Sequence, residues 1–304
     1  MYDEIIESIK NIDGKTDYTL ASYCAYYEKF KSNTFDIKKE LEKQNLADGR
    51  ILTEYNKLRM KIMEIYRNVL KGNIQSASTQ VRNLMYGRNG ILTKYKRKVE
   101  KGILLYKYRE YKDENKYITI AEDFSNQLFH LPYNMRQLAK NCRYSISGLP
   151  CLYLGDSVET CIRELRKETD QNLVGARYTL QNDVEVYSLR INWNTQIKDE
   201  AEMIAFLKKY LLIHACSYRI QQESDDAVYI PFYTIPQMIT AAIASKDDAT
   251  RCIEYSSTRN EGGINYVFIP KYSCNDRGNY DEELRSLFSM ELIPRNTANN
   301  TANQ

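Results

Sequence analysis

The sequence predicts an α+β protein in which an all-helical N-terminal domain precedes a domain of mixed helices and strands. Two observations carry this prediction. Before Pro132 there is no proline, and apolar residues recur at helical spacing within this part. From Leu104 onward, short apolar runs alternate with glycine-containing turns, as in strands. We therefore expect a helical domain over residues 1–103, an α+β domain over 104–290 and a disordered polar tail over 291–304.

The segment 51–70 gives the clearest helical signal of the first domain. Its apolar residues follow one another at intervals of three to five positions, at Leu52, Tyr55, Leu58, Met63, Tyr66 and Leu70. This is mostly the spacing of one buried helical face. Asp48 and Gly49 predict a break before this helix, because both residue types favour turns.

The second domain shows both strand and helix patterns. Apolar and β-branched runs predict strands at residues 103–108, 151–154, 184–191, 228–230 and 266–269. Helices are expected at residues 157–168, 198–220 and 236–245. Pro236 suits the first position of the last helix, where its missing N–H has no partner to lose.

Composition excludes several classes of function. The net charge of +3 is too small to predict recruitment of nucleic acid by charge alone. The sequence has no apolar run long enough for a membrane helix, and its N-terminus lacks the apolar core of a secretory signal. Seven scattered cysteines without a CxxC pair indicate reduced thiols, so we expect a cytoplasmic protein. With only two histidines, no metal site is expected.

Four short stretches carry residues suited to chemistry. They are LLYKYRE, RYSISGLPCLYLGDSVETCIREL, YTIPQ and IEYSSTRNEGGINYVF. The first contains Arg109, the second contains Arg143, Tyr153 and Glu164, the third starts at Tyr233, and the fourth contains Ser256, Ser257 and Arg259. Within the second stretch, Tyr153 follows Arg143 by 10 residues and Glu164 follows Tyr153 by 11.

This order and spacing resembles the RES family, which is named for its arginine, glutamate and serine. The resemblance covers about residues 104–270 and implies a fold similar to that of diphtheria-toxin-like ADP-ribosyltransferases. The long interval between Arg109 and Arg143 predicts an insertion around residues 111–140. The serine motif reads Tyr-Ser-Ser where Tyr-Pro-Ser is common, so Ser257 is the aligned residue and Ser256 stays an alternative. Lys107 is likewise an alternative to Arg109 in the first motif.

The resemblance implies a toxin that cleaves the nicotinamide–ribose bond of NAD, with no cofactor besides this substrate. Glu164 would stabilise the oxocarbenium-like transition state, and Arg109 and Ser257 would complete the catalytic set. Arginine forks suit a diphosphate, so Arg109 and Arg143 would bind it. Tyr153 would stack on a base, and Ser257 would also contact the substrate. We expect the five side chains to converge on one pocket.

Alternatives stay open at this point. The same residues would serve ADP-ribosyl transfer to a macromolecule, and the chain could instead be a non-catalytic interaction module. By pattern alone, Glu164 is a solvated residue that pairs with Lys167, on a helix capped by Asp156 and Glu159. The basic stretch 88–109 is read as a solvated face rather than a nucleic-acid site.

The role of the helical domain is the least specified. Some RES proteins carry a helical domain of the HEPN type, whose ribonucleases have an Arg-x4–6-His motif. The first 100 residues contain no histidine, so this activity is not supported. We expect the helices to mediate self-association or to restrain the toxin, and we expect homo-oligomers and an antitoxin or other regulatory partner.

Overall fold

The chain folds into two compact units that are each assembled from separate parts of the sequence. The structure, a computed structural model, describes residues 2–22, 25–46, 49–87, 90–91, 95–220, 230–246, 249–271 and 279–295. Unit 1 comprises residues 1–96, 141–146 and 189–247. Unit 2 comprises residues 97–140, 147–188 and 248–304. The division expected between residues 103 and 104 therefore falls inside unit 2, and the segment expected to form the α+β domain contributes to both units.

Unit 1 is mainly helical. Its helices are α1 (Tyr2–Lys15), α2 (Tyr26–Leu41), α3 (Arg50–Leu70), α4 (Ile74–Tyr86), α8 (Glu200–Cys216) and α9 (Thr234–Ala244). A π-helical turn, Glu42–Leu46, follows α2, and a 3-10 turn, Pro231–Tyr233, precedes α9. A two-stranded parallel sheet pairs β1 (Thr19–Leu20) with β7 (Arg219–Ile220), which joins the N-terminal segment to the segment after α8.

Helix α3 confirms the expected element at residues 51–70. Gly49 is its N-cap, and its buried face carries the expected Leu52, Tyr55, Leu58, Met63 and Tyr66. Ile62 and Ile65, which the spacing did not single out, are fully buried on the same helix, whereas Leu70 at its end is 59% exposed, contrary to the expectation. Helices α8 and α9 are apolar over more of their circumference, as expected of helices with neighbours on several sides. Of the helices in the described residues, none combines the length and apolar character needed to cross a membrane.

Unit 2 is built on an eight-stranded sheet with the order β10-β5-β3-β4-β9-β8-β6-β2. Its strands are β2 (Lys96–Val99), β3 (Leu104–Glu110), β4 (Leu152–Gly155), β5 (Leu173–Leu180), β6 (Val184–Leu189), β8 (Cys252–Ser256), β9 (Ile264–Phe268) and β10 (Phe288–Ile293). Its helices are α5 (Glu114–Glu122), α6 (Phe124–Gln127), α7 (Val158–Glu164) and α10 (Glu282–Ser286), and a 3-10 helix spans Tyr133–Leu138.

The two faces of this sheet differ in character. Alternate residues of each strand point to opposite faces, so the residues that share a face can be read from the strand pairing. One face, the core face, carries the main apolar cluster, which includes Leu105, Leu154 and Tyr266. The opposite face carries Tyr106 and Asn265, because Tyr106 pairs with Gly155 and Gly155 pairs with Asn265. We call this the site face.

Several sequence expectations are corrected at element ends. Helix α8 stops at Cys216, and Arg219–Ile220 form strand β7 instead of continuing the helix to residue 220. Pro236 is the third residue of α9 rather than the first, because the 3-10 turn at Pro231–Tyr233 leads directly into it. Strand β10 extends to Ile293 along β5, so the first residues of the expected tail are ordered. The strand expected at 228–230 lies almost entirely outside the described residues.

Candidate active site

Glu164 stands at the C-terminal end of a short helix that leaves the sheet directly after β4. Ser157 caps this helix, since its side chain accepts a hydrogen bond from the backbone N–H of Thr160. Gly155 lets the helix approach the strand closely, because a Cβ there would lie 2.8 Å from the sulfur of Cys161. The buried Cys161 thiol in turn donates to the carbonyl oxygen of Tyr106 on β3. The helix therefore delivers Glu164 from the site face of the sheet.

The carboxylate of Glu164 receives two short hydrogen bonds on one oxygen. The Ser257 hydroxyl donates to Oε1 at 2.6 Å, and the Asn265 side-chain amide donates to the same oxygen at 2.6 Å. Asn265 is buried, with 5% of its surface exposed, whereas the Glu164 side chain is 31% exposed. One oxygen is thus fixed from the sheet side while the carboxyl group keeps contact with solvent.

Ser257 is held in place by the turn that joins β8 to β9. Its hydroxyl oxygen accepts hydrogen bonds from the backbone N–H groups of Arg259, at 3.1 Å, and Asn260, at 3.0 Å. Its own N–H donates to the carbonyl oxygen of Gly263 at 2.8 Å. Gly262 has φ +78°, a conformation that glycine adopts without the steric cost other residues incur. With its oxygen occupied by two donors, the Ser257 hydroxyl proton is directed to Glu164.

A second set of hydrogen bonds connects this turn to the start of helix α7. Asn260 donates from its side-chain amide to the hydroxyl oxygen of Thr160 at 2.9 Å. The Thr160 hydroxyl donates to Oδ1 of Asp156 at 2.7 Å. Gly263 leaves the necessary space, because a Cβ there would lie 2.6 Å from the Thr160 hydroxyl oxygen. The two ends of the Glu164–Ser257 contact are therefore tied together independently of that contact.

Arg259 places a cation beside the carboxylate. The Arg259 guanidinium is 3.9 Å from Oε2 of Glu164, measured from its Nε atom, and its side chain is 23% exposed. This separation allows an electrostatic attraction but is too long for a hydrogen bond. The pair joins Oε2, whereas Ser257 and Asn265 occupy Oε1.

Tyrosines border the same face of the sheet. Tyr153 on β4 and Tyr106 and Tyr108 on β3 are half-buried, and the strand pairing places all three on the site face with Asn265. Gly175 on β5 gives the Tyr108 ring its place, since a Cβ at Gly175 would lie 2.5 Å from that ring. Burial raises the pKa of Tyr108 to about 12. These rings form a neutral aromatic surface on the face from which Glu164 projects.

Arg109 is not brought to Glu164. It pairs with Val174 of the apolar cluster, so its side chain projects from the core face, opposite the site face. Its guanidinium donates to the backbone and side-chain oxygens of Gln127, at 3.2 and 3.1 Å. Lys107, its alternative, shares that face and donates to the carbonyl oxygen of Phe129 at 2.6 Å. The period-two geometry of β3 explains why the basic side chains of the first motif do not meet Glu164, while its Tyr106 and Tyr108 lie on the site face.

Arg143 belongs to unit 1 and is described there by itself. The side chain is 8% exposed, and its Nη1 atom donates to the backbone carbonyls of Cys216 and Tyr218, at 2.9 Å for the second. The Tyr233 ring, from the third motif, lies 5.1 Å from its guanidinium carbon. The expected role of Arg143 in substrate binding stays a prediction.

The alternative in which Glu164 pairs with Lys167, on a helix capped by Asp156 and Glu159, is wrong in two respects. Lys167 pairs with Glu110 at 2.6 Å rather than with Glu164. Ser157 rather than Asp156 caps the helix, and Asp156 accepts from the Thr160 hydroxyl instead. Of the two serines, Ser257 contacts Glu164, whereas Ser256 ends β8 with an exposed side chain.

Asn265 is the residue that sequence reasoning missed. It interrupts the otherwise apolar run of β9, and asparagine is depleted in strands. A single amide in an apolar strand indicates a buried hydrogen-bond partner, because burying the amide unpaired would cost free energy. This signal was available in the sequence, but its partner could not be named without the strand register.

Both histidines are buried and hydrogen-bonded within the fold. His130 lies between the carbonyl oxygen of Leu131 and the backbone N–H of Asp281, at 2.8 and 3.0 Å, and burial lowers its pKa to about 4. His214 is buried among tyrosine hydroxyls, and burial lowers its pKa to about 3. Within the described residues no cluster of three or more metal-ligating side chains occurs.

Comparison with known proteins gives two findings. The model of the RES domain family matches residues 115–278, just over half of the chain, and this span contains Arg143, Tyr153, Glu164 and Ser257. A Bacillus subtilis (strain 168) protein named "Putative toxin YopC" is 27% identical over 179 residues. That alignment covers 53% of this chain and 40% of the relative, so the chain spans about two fifths of the length of the curated relative it matches.

Proposed function

The chain belongs to the RES-domain family, and we propose that it is a toxin enzyme that cleaves the nicotinamide–ribose bond of NAD. The observation that carries the proposal is the Glu164 carboxylate, which is fixed on one oxygen by Ser257 and Asn265 and is 31% exposed. A carboxylate placed in this way can face a ribose without reorganising during the reaction. A carboxylate held only for stability needs no such access.

A fixed negative charge near the ribose would stabilise the transition state of this reaction. The bond between ribose C1′ and the nicotinamide ring nitrogen breaks, and its electron pair leaves with nicotinamide, which neutralises the ring. Positive charge develops on the ribose as an oxocarbenium-like species, as in glycoside hydrolysis. We assign Glu164 to stabilise that charge and Ser257 to orient the carboxylate. Attack of water on C1′ yields ADP-ribose and a proton. Attack of inorganic phosphate on C1′ instead yields ADP-ribose that is phosphorylated at that carbon.

The aromatic surface supports the same substrate class. Tyr153, Tyr106 and Tyr108 lie half-buried on the site face, and tyrosine rings are neutral near pH 7. Neutral aromatic rings stack on planar bases such as nicotinamide or adenine. We therefore keep Tyr153 as a base-stacking residue and add the two β3 tyrosines as candidates for the same role.

The name of the Bacillus subtilis relative supports the toxin part of the proposal. A toxin that consumes NAD arrests the growth of the cell in which it is active. We propose that an antitoxin or another regulatory partner restrains it, and that the chain self-associates. The regulatory partner follows from the expected behaviour of such a toxin, and self-association from the helical character of the N-terminal part; neither is argued from a particular surface of the molecule.

The experiment is a time course of nicotinamide release from NAD by the purified full-length chain, with and without inorganic phosphate. Release that needs no phosphate indicates hydrolysis, and release that depends on phosphate indicates phosphorolysis. No nicotinamide release under either condition, from protein that arrests growth when expressed, would contradict NAD cleavage.

ADP-ribosyl transfer is the alternative that the same residues allow. NAD labelled in its adenine part, added to a lysate with the protein, separates the two reactions. We expect the label in free ADP-ribose or its phosphate. Label attached to protein or nucleic acid would instead favour transfer.

A further inference from the structure

We propose that Arg259 is the residue that binds the phosphate groups of the substrate beside Glu164. This inference rests on the proposed function and identifies a residue for which neither the sequence motifs nor the family resemblance gave a role. It concerns unit 2 alone, because Arg259, Glu164, Ser257 and Asn265 all belong to that unit.

The need for a cation follows from charge. NAD carries its negative charge on a diphosphate, and Glu164 is itself a carboxylate, so the two repel each other. Two like charges repel each other more strongly at a partly buried protein site than in bulk water, because the surroundings screen them less. A positively charged side chain next to the carboxylate offsets this repulsion when the substrate enters.

Arg259 is placed to provide that charge. Its Nε atom lies 3.9 Å from Oε2 of Glu164, on the oxygen that Ser257 and Asn265 do not occupy. The side chain is 23% exposed, which leaves it a path to solvent and to a ligand. Its backbone N–H is bonded to the Ser257 hydroxyl oxygen at 3.1 Å, so the residue moves with the catalytic turn.

The other arginines considered for this role have different contacts. Arg109 projects from the core face and donates to Gln127. Arg143 is almost fully buried and donates to the backbone carbonyls of Cys216 and Tyr218. A guanidinium is the group best shaped for bidentate phosphate binding, and Arg259 presents one next to the reactive carboxylate.

The test compares substrates that differ in phosphate content. We expect Arg259→Gln to lower kcat/KM for NAD roughly 10- to 100-fold, the range for loss of a charge-assisted hydrogen bond. Nicotinamide mononucleotide, with one phosphate, should show a similar loss. Nicotinamide riboside, with none, should react with the variant and the wild type at rates within a factor of about three. Arg259→Lys should recover part of the loss, since it restores the charge but not the fork.

A merely structural arginine would behave differently. If Arg259 only held Glu164 or its turn, Arg259→Gln would lower activity by the same factor on all three substrates, and this result would overturn the inference. Arg295→Gln is the matched control, because Arg295 is an arginine of the same unit that pairs with Glu114 and contacts Tyr111 of the apolar cluster on the core face. It should leave all three substrates unaffected.

Inhibition gives a second measurement that needs no turnover of the riboside. The inhibition constant of ADP-ribose should rise about 10-fold or more in Arg259→Gln, and that of adenosine should not change. Equal inhibition constants in variant and wild type would refute phosphate binding by Arg259. Wild-type protein that releases no nicotinamide from NAD would instead refute the proposed function, so the two failures are distinguishable.

Discussion

Glu164 in unit 2 and His214 in unit 1 are each held by several hydrogen-bonding side chains, yet they meet solvent very differently. His214 is 1% exposed, and burial drives its pKa down to about 3, so the ring is neutral near pH 7. The Glu164 side chain is 31% exposed and has Arg259 beside it. A sealed titratable group is kept neutral and serves the fold, whereas an anchored group open to solvent can act on a ligand.

The network around His214 connects distant parts of unit 1. Nδ1 lies 2.9 Å from the hydroxyl of Tyr18 and 3.2 Å from that of Tyr210, and Nε2 lies 2.9 Å from the hydroxyl of Tyr218. Tyr18 and Tyr210 both donate to Asp13 at the end of α1. Since these groups satisfy one another, the network explains how the N-terminal helix is joined to α8.

The largest expected effect is the loss of activity when Glu164, the exposed member of this pair, is substituted. Glu164→Gln keeps the shape of the side chain and removes its charge, so we expect kcat/KM for NAD to fall by roughly 10³-fold or more. Glu159→Gln is the matched control on the same helix, because Glu159 is 67% exposed and pairs with its neighbour Arg163. It should retain wild-type activity in the nicotinamide-release assay.

The next largest effect concerns stability in acid. A histidine whose folded pKa lies below its unfolded value of about 6.5 stabilises the fold fully above that pH. As the pH falls from about 6.5 toward about 3, the unfolded chain takes up the proton first, and stability is lost. His214 alone should cost roughly 2 kcal/mol between about pH 6.5 and pH 4.5.

Urea unfolding across this pH range measures the effect. His130, with a folded pKa of about 4, contributes in the same direction. We therefore expect His214→Gln to be less stable than the wild type near pH 7 but to lose less stability on acidification. An unchanged slope in the variant would contradict the account of a sealed, neutral ring.

A smaller effect separates the two neighbouring serines. Ser257→Ala removes one of two donors to Glu164 and should lower kcat/KM roughly 10- to 30-fold, as expected for a hydrogen bond to a charged group. Ser256→Ala, one residue away, removes an exposed hydroxyl and should change it by less than a factor of about two. Equal effects of the two substitutions would contradict the assignment of Ser257.

The smallest expected effect on activity comes from Thr160, whose hydroxyl links the turn that carries Ser257 to the helix that carries Glu164. Thr160→Val deletes the hydroxyl that joins Asn260 to Asp156 while keeping the shape of the side chain. Because Thr160 is fully buried, its unmatched partners should cost about 1–2 kcal/mol of stability, with a loss of activity of only a few fold. Thermal unfolding and nicotinamide release measured on the same preparation would show whether stability and activity separate in this way.

Some features of the fold could be predicted from the sequence, and others could not. The helix at residues 51–70 and the strands around Leu105, Leu154 and Val267 follow from local periodicity, which the chain carries in each segment. The meeting of Glu164 with Ser257, 93 residues apart, followed from the family resemblance and not from any local pattern. Periodicity cannot supply it, because it depends on which strands become neighbours.

What the sequence could not show depends on how distant segments of the chain are arranged. The face to which Arg109 points depends on the strand register, and one residue of slip reverses every side chain of a strand. The donation of Asn265 to Glu164 depends on the same register. The recruitment of α8 and α9 into unit 1 depends on long-range packing between segments more than 100 residues apart in the chain. These properties belong to the assembled molecule and not to its individual segments.

A double-mutant cycle between Glu164→Gln and Ser257→Ala, followed by nicotinamide release from NAD, tests most directly whether these two residues act together. If the serine acts through the carboxylate, the double variant should be no slower than Glu164→Gln alone, because the effects of residues that act as a unit do not add. Losses that multiply in the double variant would mean that the two side chains work independently, and the central role given to their contact would be wrong.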